Sequence, residues 1–322
     1  MPTYHADNNP NRHRPIMIAR LVSLILVLFP MAVALGQQSY SDRPFPELTG
    51  PYFGQQPPGT TPVAFAPGIL NPPEGYHSSV VFSPDGSEAY WTSMGQKTFH
   101  SRLVDSHWSA PVLTSIDPEY GIGEAFFAPD GHRLYFLSRR PPTDGAAVRE
   151  RIWYVERRGD GWSEPRVIDS VVARHPTHWQ FSLAANNNLY FTSELEEGSG
   201  RRDLFMSVWD NARYTEPVPL GDAVTSDLRD FCPFIALDEN YLIFSRSVPE
   251  ENNRSDLFIS FKDADGGWTD AVNMGDTINS LHNEVCPVVT SDGQYLFFVR
   301  VSGQTNQVFW VSTQVIADMR PR

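Results

Sequence analysis

One short pattern recurs five times along the chain and constrains its fold more than any other feature. A typical copy, FAPDGHRLYF at residues 127–136, places two strand-forming runs on either side of a tight turn. Pro129 presets φ, Asp130 can accept a bond from the backbone two residues on, and Gly131 tolerates positive φ. The turn positions of the five copies are Asp85, Asp130, Ala185, Asp238 and Asp292, spaced 45, 55, 53 and 54 residues apart. Recurrence at this period predicts a β-propeller or another repeat array.

Each repeat continues with a third strand and then a fourth segment that opens on an aromatic residue. These aromatic residues are Trp108, Trp162, Tyr214 and Trp268. Proline occurs in three of the four segments, which is typical of an edge strand, where a missing N–H costs nothing. Four strands per repeat, with the last at the edge, describe a propeller blade. The aromatic residues are expected to pack between neighbouring sheets.

The fifth repeat has no fourth segment, because the chain ends soon after Ser312. Conversely, residues 62–66 read as a lone strand that resembles a fourth segment. The sequence therefore predicts an all-β, five-bladed β-propeller of four-stranded blades, with the N-terminal strand closing the ring. A sixth, degenerate blade within the long loops is the alternative.

The segments outside the propeller have distinct compositions. Residues 1–36 read as a signal peptide, since Arg20 precedes an apolar run at 21–35 and the small residues around Ala34 fit a cleavage site. Met17 is an alternative start, and an uncleaved membrane anchor is the alternative interpretation. Residues 37–61 read as an extended, Pro- and Gly-rich lead-in, 62–312 as the propeller, and 313–322 as a C-terminal tail. The expected location is the periplasm or the extracellular space, with no transmembrane segment after signal removal.

The charge balance limits the partners that the chain can bind. The formal net charge is −13, from 25 Lys and Arg residues against 38 Asp and Glu residues. This disfavours nucleic acid and anionic membrane surfaces. A partner with a basic patch is favoured.

The repeats resemble those of a known family. The SPDG sequence at residues 83–86, the FCPF sequence at 231–234 and the WSEP sequence at 162–165 are similar to the WD40-like repeat of TolB-type propellers. The resemblance covers roughly residues 62–312 and implies a fold rather than an activity. TolB itself carries an α/β domain before its propeller, where this chain has only the short lead-in. Related propellers precede serine peptidase domains, but no Gly-x-Ser-x-Gly elbow occurs here.

Five titratable residues stand just before the first strands of the five repeats. In a propeller the first strands line the central channel, so these residues are expected to meet at one mouth. They are the candidate ligand-binding residues His77, Glu124, His178, Asp230 and Glu284. Three carboxylates and two imidazoles can bind a cation or a basic side chain. Alternatively, they cap strand ends, face water, or pair with arginines; the candidate arginines are Arg139, Arg229, Arg246 and Arg300.

Two functions are compatible with this pattern. The first is an exported binding or scaffold module that holds an envelope or extracellular protein, a peptide or a glycan at the channel mouth, without a cofactor. The alternative is a carbohydrate-active enzyme of the glycoside hydrolase type, in which Glu124, Asp230 and Glu284 supply the acid, the base and an orienting group. This alternative rests on fold analogy. No metal-binding motif is present, although a channel-bound cation is compatible with the charges.

Both cysteines stand at equivalent positions of adjacent repeats. Cys232 lies six residues before Asp238, and Cys286 lies six residues before Asp292. An exported protein with two cysteines suggests a disulfide, but equivalent residues on neighbouring inner strands are often too far apart to be bridged. The resemblance to the TolB-type repeat implies a small buried residue here. Two buried free thiols are the favoured prediction, with a disulfide as the alternative.

Overall fold

The computed structural model describes residues 45–70, 72, 75–141, 148–175, 177–194, 202–248, 254–303 and 305–321. The predicted signal peptide, at residues 1–36, and the first part of the lead-in lie outside these residues.

The described chain forms five antiparallel four-stranded sheets arranged as a β-propeller, as the sequence predicts. We number the sheets blades 1 to 5 and give their strands from the first to the fourth. Blade 1 contains Val81–Phe82, Glu88–Thr92, Thr98–Val104 and Val112–Leu113; blade 2 contains Gly123–Phe127, Arg133–Ser138, Arg151–Arg158 and Arg166–Val167. Blade 3 contains Thr177–Leu183, Leu189–Glu194, Arg202–Ser207 and Val218–Pro219; blade 4 contains Asp230–Ile235, Tyr241–Val248, Arg254–Phe261 and Val272–Asn273. Blade 5 contains Asn283–Val289, Tyr295–Ser302, Thr305–Ser312 and Val63–Ala64.

The N-terminal strand completes blade 5, which confirms the predicted ring closure. Val63 pairs with Trp310, and Ala64 pairs with Phe309. The next residue, Phe65, donates its N–H to the carbonyl of Val308 at 2.9 Å and is fully buried.

The turns between first and second strands share one design. In each turn an Asx side chain accepts a hydrogen bond from the backbone N–H two residues on, and the intervening residue has positive φ. The accepting residues are Asp85, Asp130, Asn186, Asp238 and Asp292. Blade 3 therefore uses Asn186 in this role, one residue later than the Ala185 that the repeat spacing indicates. Its turn is one residue shorter, because Ala184 bonds to Asn188 whereas Ala128 bonds to Arg133.

The recurring aromatic residues pack as predicted but do not lie in the fourth strands. Three of them lie in two-residue strands ahead of the fourth strands: Trp108 in His107–Trp108, Trp162 in Gly161–Trp162 and Tyr214 in Arg213–Tyr214. Trp162 donates its indole N–H to the Tyr90 hydroxyl of blade 1 at 3.2 Å, which ties two neighbouring blades together.

Two segments outside the blades pack onto the propeller. The lead-in contains the short 3₁₀ segment Pro51–Gly54, whose Phe53 is fully buried and stacks on Trp108 with ring centroids 4.1 Å apart. At the other end, the helix Gln314–Met319 buries Val315 and Ile316. The only other helix among the described residues is Ser170–Ala173, which precedes blade 3.

Candidate functional site

A cavity of about 550 Å³ opens at the mouth where the first strands of blades 1 to 3 begin. Blade 1 contributes His77, ahead of its first strand, and Gln96, between its second and third strands. Blades 2 and 3 contribute residues from their first strands and from the ends of neighbouring strands. We call this cavity the mouth pocket. Its charged and aromatic lining residues include His77, Glu124, Arg139, Glu150, Trp179 and Arg202.

Glu124 lies at the floor of the mouth pocket because a β-bulge directs its side chain there. The pairing of the first and second strands of blade 2 shifts register between Gly123 and Phe126. Glu124 adopts φ +48° within this bulge, and it donates its N–H to the Thr92 hydroxyl of blade 1 at 3.3 Å. Left-handed backbone in a residue other than glycine persists only where the surroundings hold it in place. The bulge thus fixes a carboxylate at the pocket floor.

The Glu124 carboxylate is only half satisfied. Its side chain is 3% exposed, and Oε1 lies 3.3 Å from Nε2 of His77. Oε2 is buried and has no hydrogen-bond partner among the described residues. A buried carboxylate oxygen without a donor is costly. A side chain that lines the pocket therefore keeps one carboxylate oxygen without a donor among the described residues.

Burial and neighbouring charges shift the titration of the mouth pocket. Burial raises the pKa of Glu124, and the hydrogen bond and charge of His77 oppose this shift only in part. The same hydrogen bond raises the pKa of His77 above its ordinary value, despite burial. Burial also raises the pKa of Glu150, and the negative charge of Glu124 adds to that shift, while the positive charges of Arg139, His77 and Arg202 oppose it only in part. The two carboxylates are therefore close enough to repel each other.

Basic side chains also lie at and beside the mouth pocket. The guanidinium of Arg202 lies 4.8 Å from the centre of the Trp179 ring, and that of Arg229 lies 5.5 Å from it. Nε of Arg202 is buried and has no hydrogen-bond partner in the described part of the chain. Arg139 is exposed at the rim. The indole thus holds guanidinium groups rather than presenting a bare face.

Asp230 and Glu284 occupy a different environment from Glu124. Both carboxylates are fully buried, and each lies 2.6 Å from the Nε of an arginine at the end of its second strand. The partners are Arg246 and Arg300 respectively, two of the arginines that the sequence offers as partners. Each carboxylate also accepts bonds from the N–H and hydroxyl of the serine four residues earlier, Ser226 or Ser280.

These two ion pairs hold the loops that precede the first strands of blades 4 and 5. Arg246 donates a second bond to the carbonyl of Val224 at 2.6 Å, and Arg300 donates one to the carbonyl of Ile278 at 2.9 Å. Each guanidinium therefore links a first strand, a second strand and the preceding loop. All four carboxylate oxygens have donors, so Asp230 and Glu284 are occupied with holding the structure.

His178 is the fifth predicted site residue. Its backbone belongs to the first strand of blade 3, Thr177–Leu183, and its side chain lies outside the described residues.

The sequence contains a signal for the difference between Glu124 and the other acids. His77, Asp230 and Glu284 each lie eight residues before the turn aspartate of their blade, whereas Glu124 lies six before Asp130. Six is the spacing of Cys232 and Cys286, which share the bulge and its positive φ. Glu124 is therefore the blade 2 counterpart of the cysteines. Glu150 lies just before the third strand of blade 2, and Arg202 begins the third strand of blade 3. Neither stands at a position that recurs between the repeats, so the repeat pattern does not identify them.

The cysteines are free and buried, with their Sγ atoms 3.6 Å apart. The hydrogen bond with Cys232 and burial raise the pKa of the Cys286 thiol well above its usual range. Two buried thiols thus occupy the bulges of blades 4 and 5.

Comparison with known proteins leaves the relationship of this chain open. No protein-family model matches it. No curated protein matches it either. Among solved structures, it is similar to the hydrazine synthase of Kuenenia stuttgartiensis at 14% identity, over 70% of this chain and 73% of that chain, with a TM-score of 0.42. A chain of a nidogen/laminin complex has 13% identity over 70% of each chain and a TM-score of 0.44. A protein of a Thermus species described as a glucose dehydrogenase has 12% identity, over 78% of this chain and 99% of that chain, with a TM-score of 0.43.

At these identities and scores the similarities carry no argument about function, and the propeller rests on the strand pairing itself. The relation to TolB-type propellers stays a prediction.

In the described part of the chain, no three His, Cys, Asp or Glu side chains are grouped so as to hold a metal ion. Within those same ranges, no helix combines the length and apolar character that a membrane crossing requires.

Proposed function

We propose that this protein is an exported, TolB-like binding module whose ligand site is the mouth pocket. The observation that carries the proposal is Oε2 of Glu124, a buried acceptor without a partner among the described residues, on a side chain that lines a cavity of about 550 Å³. A buried carboxylate that stays half satisfied has a cost in stability, and sites for ligands are where such costs persist. His77 and Glu124 are the predicted site residues that act there.

Binding is favoured over glycoside hydrolysis by the fate of the other two acids. A glycosidase needs two carboxylates that flank the scissile bond and reach it. Asp230 and Glu284 are fully buried and saturated by Arg246, Arg300 and two serines. Glu124 therefore lacks the two partners that the enzymatic alternative gives it.

Export and partner class complete the proposal. The N-terminal sequence supports a cleaved signal and a periplasmic or secreted location. The acidic balance favours a partner with basic groups, and the enclosed pocket suits a peptide or small molecule presented by an envelope or extracellular partner. A glycan is the other candidate class.

A pocket-filling variant tests the site. Residues 37–322 are screened by thermal shift against a library of oligosaccharides, amino acids, short peptides and nucleotides, and hits are titrated calorimetrically. Gly123 lines the pocket, and a Cβ there meets its nearest atoms at 3.8 Å, so Gly123→Leu fills the pocket without backbone strain. Gly161→Leu is the matched control, with the same 3.8 Å clearance outside the pocket. Binding that Gly123→Leu abolishes and Gly161→Leu retains is expected. Failure of every compound to bind, or binding indifferent to Gly123→Leu, would refute the proposal.

A further inference from the structure

Glu124 and Arg202 both line the mouth pocket, and each has a buried polar atom without a partner among the described residues. The two atoms are Oε2 of Glu124 and Nε of Arg202. We infer that the pocket takes a ligand that carries a primary ammonium group close to a carboxylate, the chemistry of free amino acids and short peptides. This inference rests on the proposed function and names the ligand class of the same site.

The ammonium group is assigned to Glu124. An ionised carboxylate only accepts hydrogen bonds, and an ammonium supplies three donors with a full positive charge. Glu150 lines the same pocket and feels the negative charge of Glu124, so a cation between them relieves the repulsion. A neutral hydroxyl donor satisfies Oε2 but leaves this repulsion in place.

The shape of the free acceptor favours ammonium over other cations. A guanidinium binds a carboxylate best through both oxygens at once. Nε2 of His77 already lies 3.3 Å from Oε1 of Glu124, so a guanidinium that bridged both oxygens would compete with the histidine. A metal ion needs several ligands, and the described residues provide no group of three around one point. A single point donor fits the remaining oxygen.

The carboxylate of the ligand is assigned to Arg202 and Arg139. Nε of Arg202 has no hydrogen-bond partner among the described residues, and its guanidinium is held against the Trp179 ring at 4.8 Å. Arg139 adds a second guanidinium group at the rim. Arginine binds carboxylates through charge-assisted hydrogen bonds, and prior orientation by an aromatic ring reduces the entropy lost on binding. One pocket thus offers complementary partners for both ends of a zwitterion.

Matched probes test the assignment. The twenty free amino acids and L-alanyl-L-alanine are titrated into residues 37–322, and the tightest binder is compared with its N-acetyl and carboxamide derivatives. N-acetylation is expected to weaken binding by about tenfold or more, because it removes a charge-assisted hydrogen bond. Glu124→Gln is expected to weaken the parent compound similarly. Glu164→Gln, which neutralises an exposed acid outside the pocket, should leave affinity unchanged.

A second variant tests the assignment of the ligand carboxylate. Arg202→Met is expected to lose most of the preference for the parent compound over its carboxamide that the unaltered protein shows. Equal binding of parent and N-acetyl compounds, or of parent and carboxamide compounds by the unaltered protein, would overturn the inference. If amino acids and the dipeptide fail while an oligosaccharide or nucleotide binds and is blocked by Gly123→Leu, the ammonium assignment fails and the binding site stands. If nothing in the library binds, both fail.

Discussion

Glu284 Oε1 lies 2.6 Å from Nε of Arg300, and the pair is closed off from solvent on the carboxylate side. The same arrangement joins Asp230 to Arg246 in the neighbouring blade. Glu124, in contrast, has one oxygen near His77 and one with no partner among the described residues. Acids that the sequence places in one group thus divide into two that stabilise the fold and one that faces a pocket.

Removal of the arginine from either buried pair should be strongly destabilising. Arg300→Met leaves the Glu284 carboxylate buried without its cation, and such a loss costs about 3–5 kcal/mol. Arg246→Met should behave alike, because its contacts are equivalent. Urea unfolding monitored by tryptophan fluorescence measures the free energy of unfolding.

The control is Arg158→Met, whose 65% exposed side chain pairs with Glu156 at 3.2 Å. Exposed pairs contribute about 0–1 kcal/mol. A loss in Arg300→Met no larger than in Arg158→Met would contradict the structural role of the buried pairs.

Glu124→Gln should instead stabilise the protein. The raised pKa of Glu124 means that the folded state binds its proton more tightly than the unfolded state does. Its ionisation therefore costs stability as the pH rises from below the unfolded value through the folded pKa. At neutral pH the variant should gain about 1–2 kcal/mol, because a neutral amide costs less to bury than an ionised carboxylate with an unpaired oxygen.

The pH profile distinguishes this cause from better packing. Thermal unfolding of both proteins from pH 4 to pH 8 should show the advantage of Glu124→Gln growing as the pH rises, and vanishing at the acid end. An advantage independent of pH, or a less stable variant at neutral pH, would mean that Glu124 is not a buried charge with an unmet cost.

The repeat pattern predicted most of the fold because its turns are determined locally. Asp130 and Gly131 define their turn through a side-chain bond and a positive φ, and neither depends on the rest of the molecule. Asn186 shows the limit, because blade 3 shortens its turn by one residue and the Asx bond moves with it. The repeat spacing alone predicts where the turn lies, whereas the hydrogen bond determines which residue is its Asx acceptor.

The pocket was less predictable because it is not repeated. Glu124 stands at a bulge that blades 4 and 5 fill with cysteine, and only comparison of spacings to the turn reveals this. Glu150 and Arg202 reach the pocket from different blades through tertiary placement. A sequence period cannot identify residues that occur once. The predicted signal peptide and tail boundaries stay predictions.

The titration of His77 should depend on Glu124. The hydrogen bond to Glu124 is the main cause of its raised pKa, and burial acts in the opposite direction. In Glu124→Gln the His77 pKa should therefore fall below its ordinary value of about 6.5. NMR of the histidine ring protons across pH 5 to pH 9 follows both proteins. An unchanged His77 midpoint in the variant would show that the two side chains do not interact in solution.

The two thiols should be unreactive in the folded protein. Both are buried, and the pKa of Cys286 is raised well above its usual range, so the nucleophilic thiolate is scarce. Protein prepared without reductant should react with a thiol-specific disulfide reagent at neither cysteine when native and at both after unfolding. No reaction after unfolding would establish the alternative, a disulfide between Cys232 and Cys286.

Closure of the ring should depend on one side chain near the N-terminus. Phe65 follows the closing strand and packs against Phe297 and Trp310, with ring centroids 4.9 and 5.2 Å away. Phe65→Ala removes this aromatic contact from a fully buried position, which costs about 3–5 kcal/mol. Val63→Ala, in the same strand but 45% exposed, should cost well under 1 kcal/mol and serves as the control. The free energies of unfolding of the two variants, measured in urea, should differ by most of the stability lost in Phe65→Ala. The closing strand contributes only two paired residues, so side-chain packing has to hold the ring closed. Equal stabilities would mean that the backbone pairing of Val63 and Ala64 closes the propeller without help from Phe65.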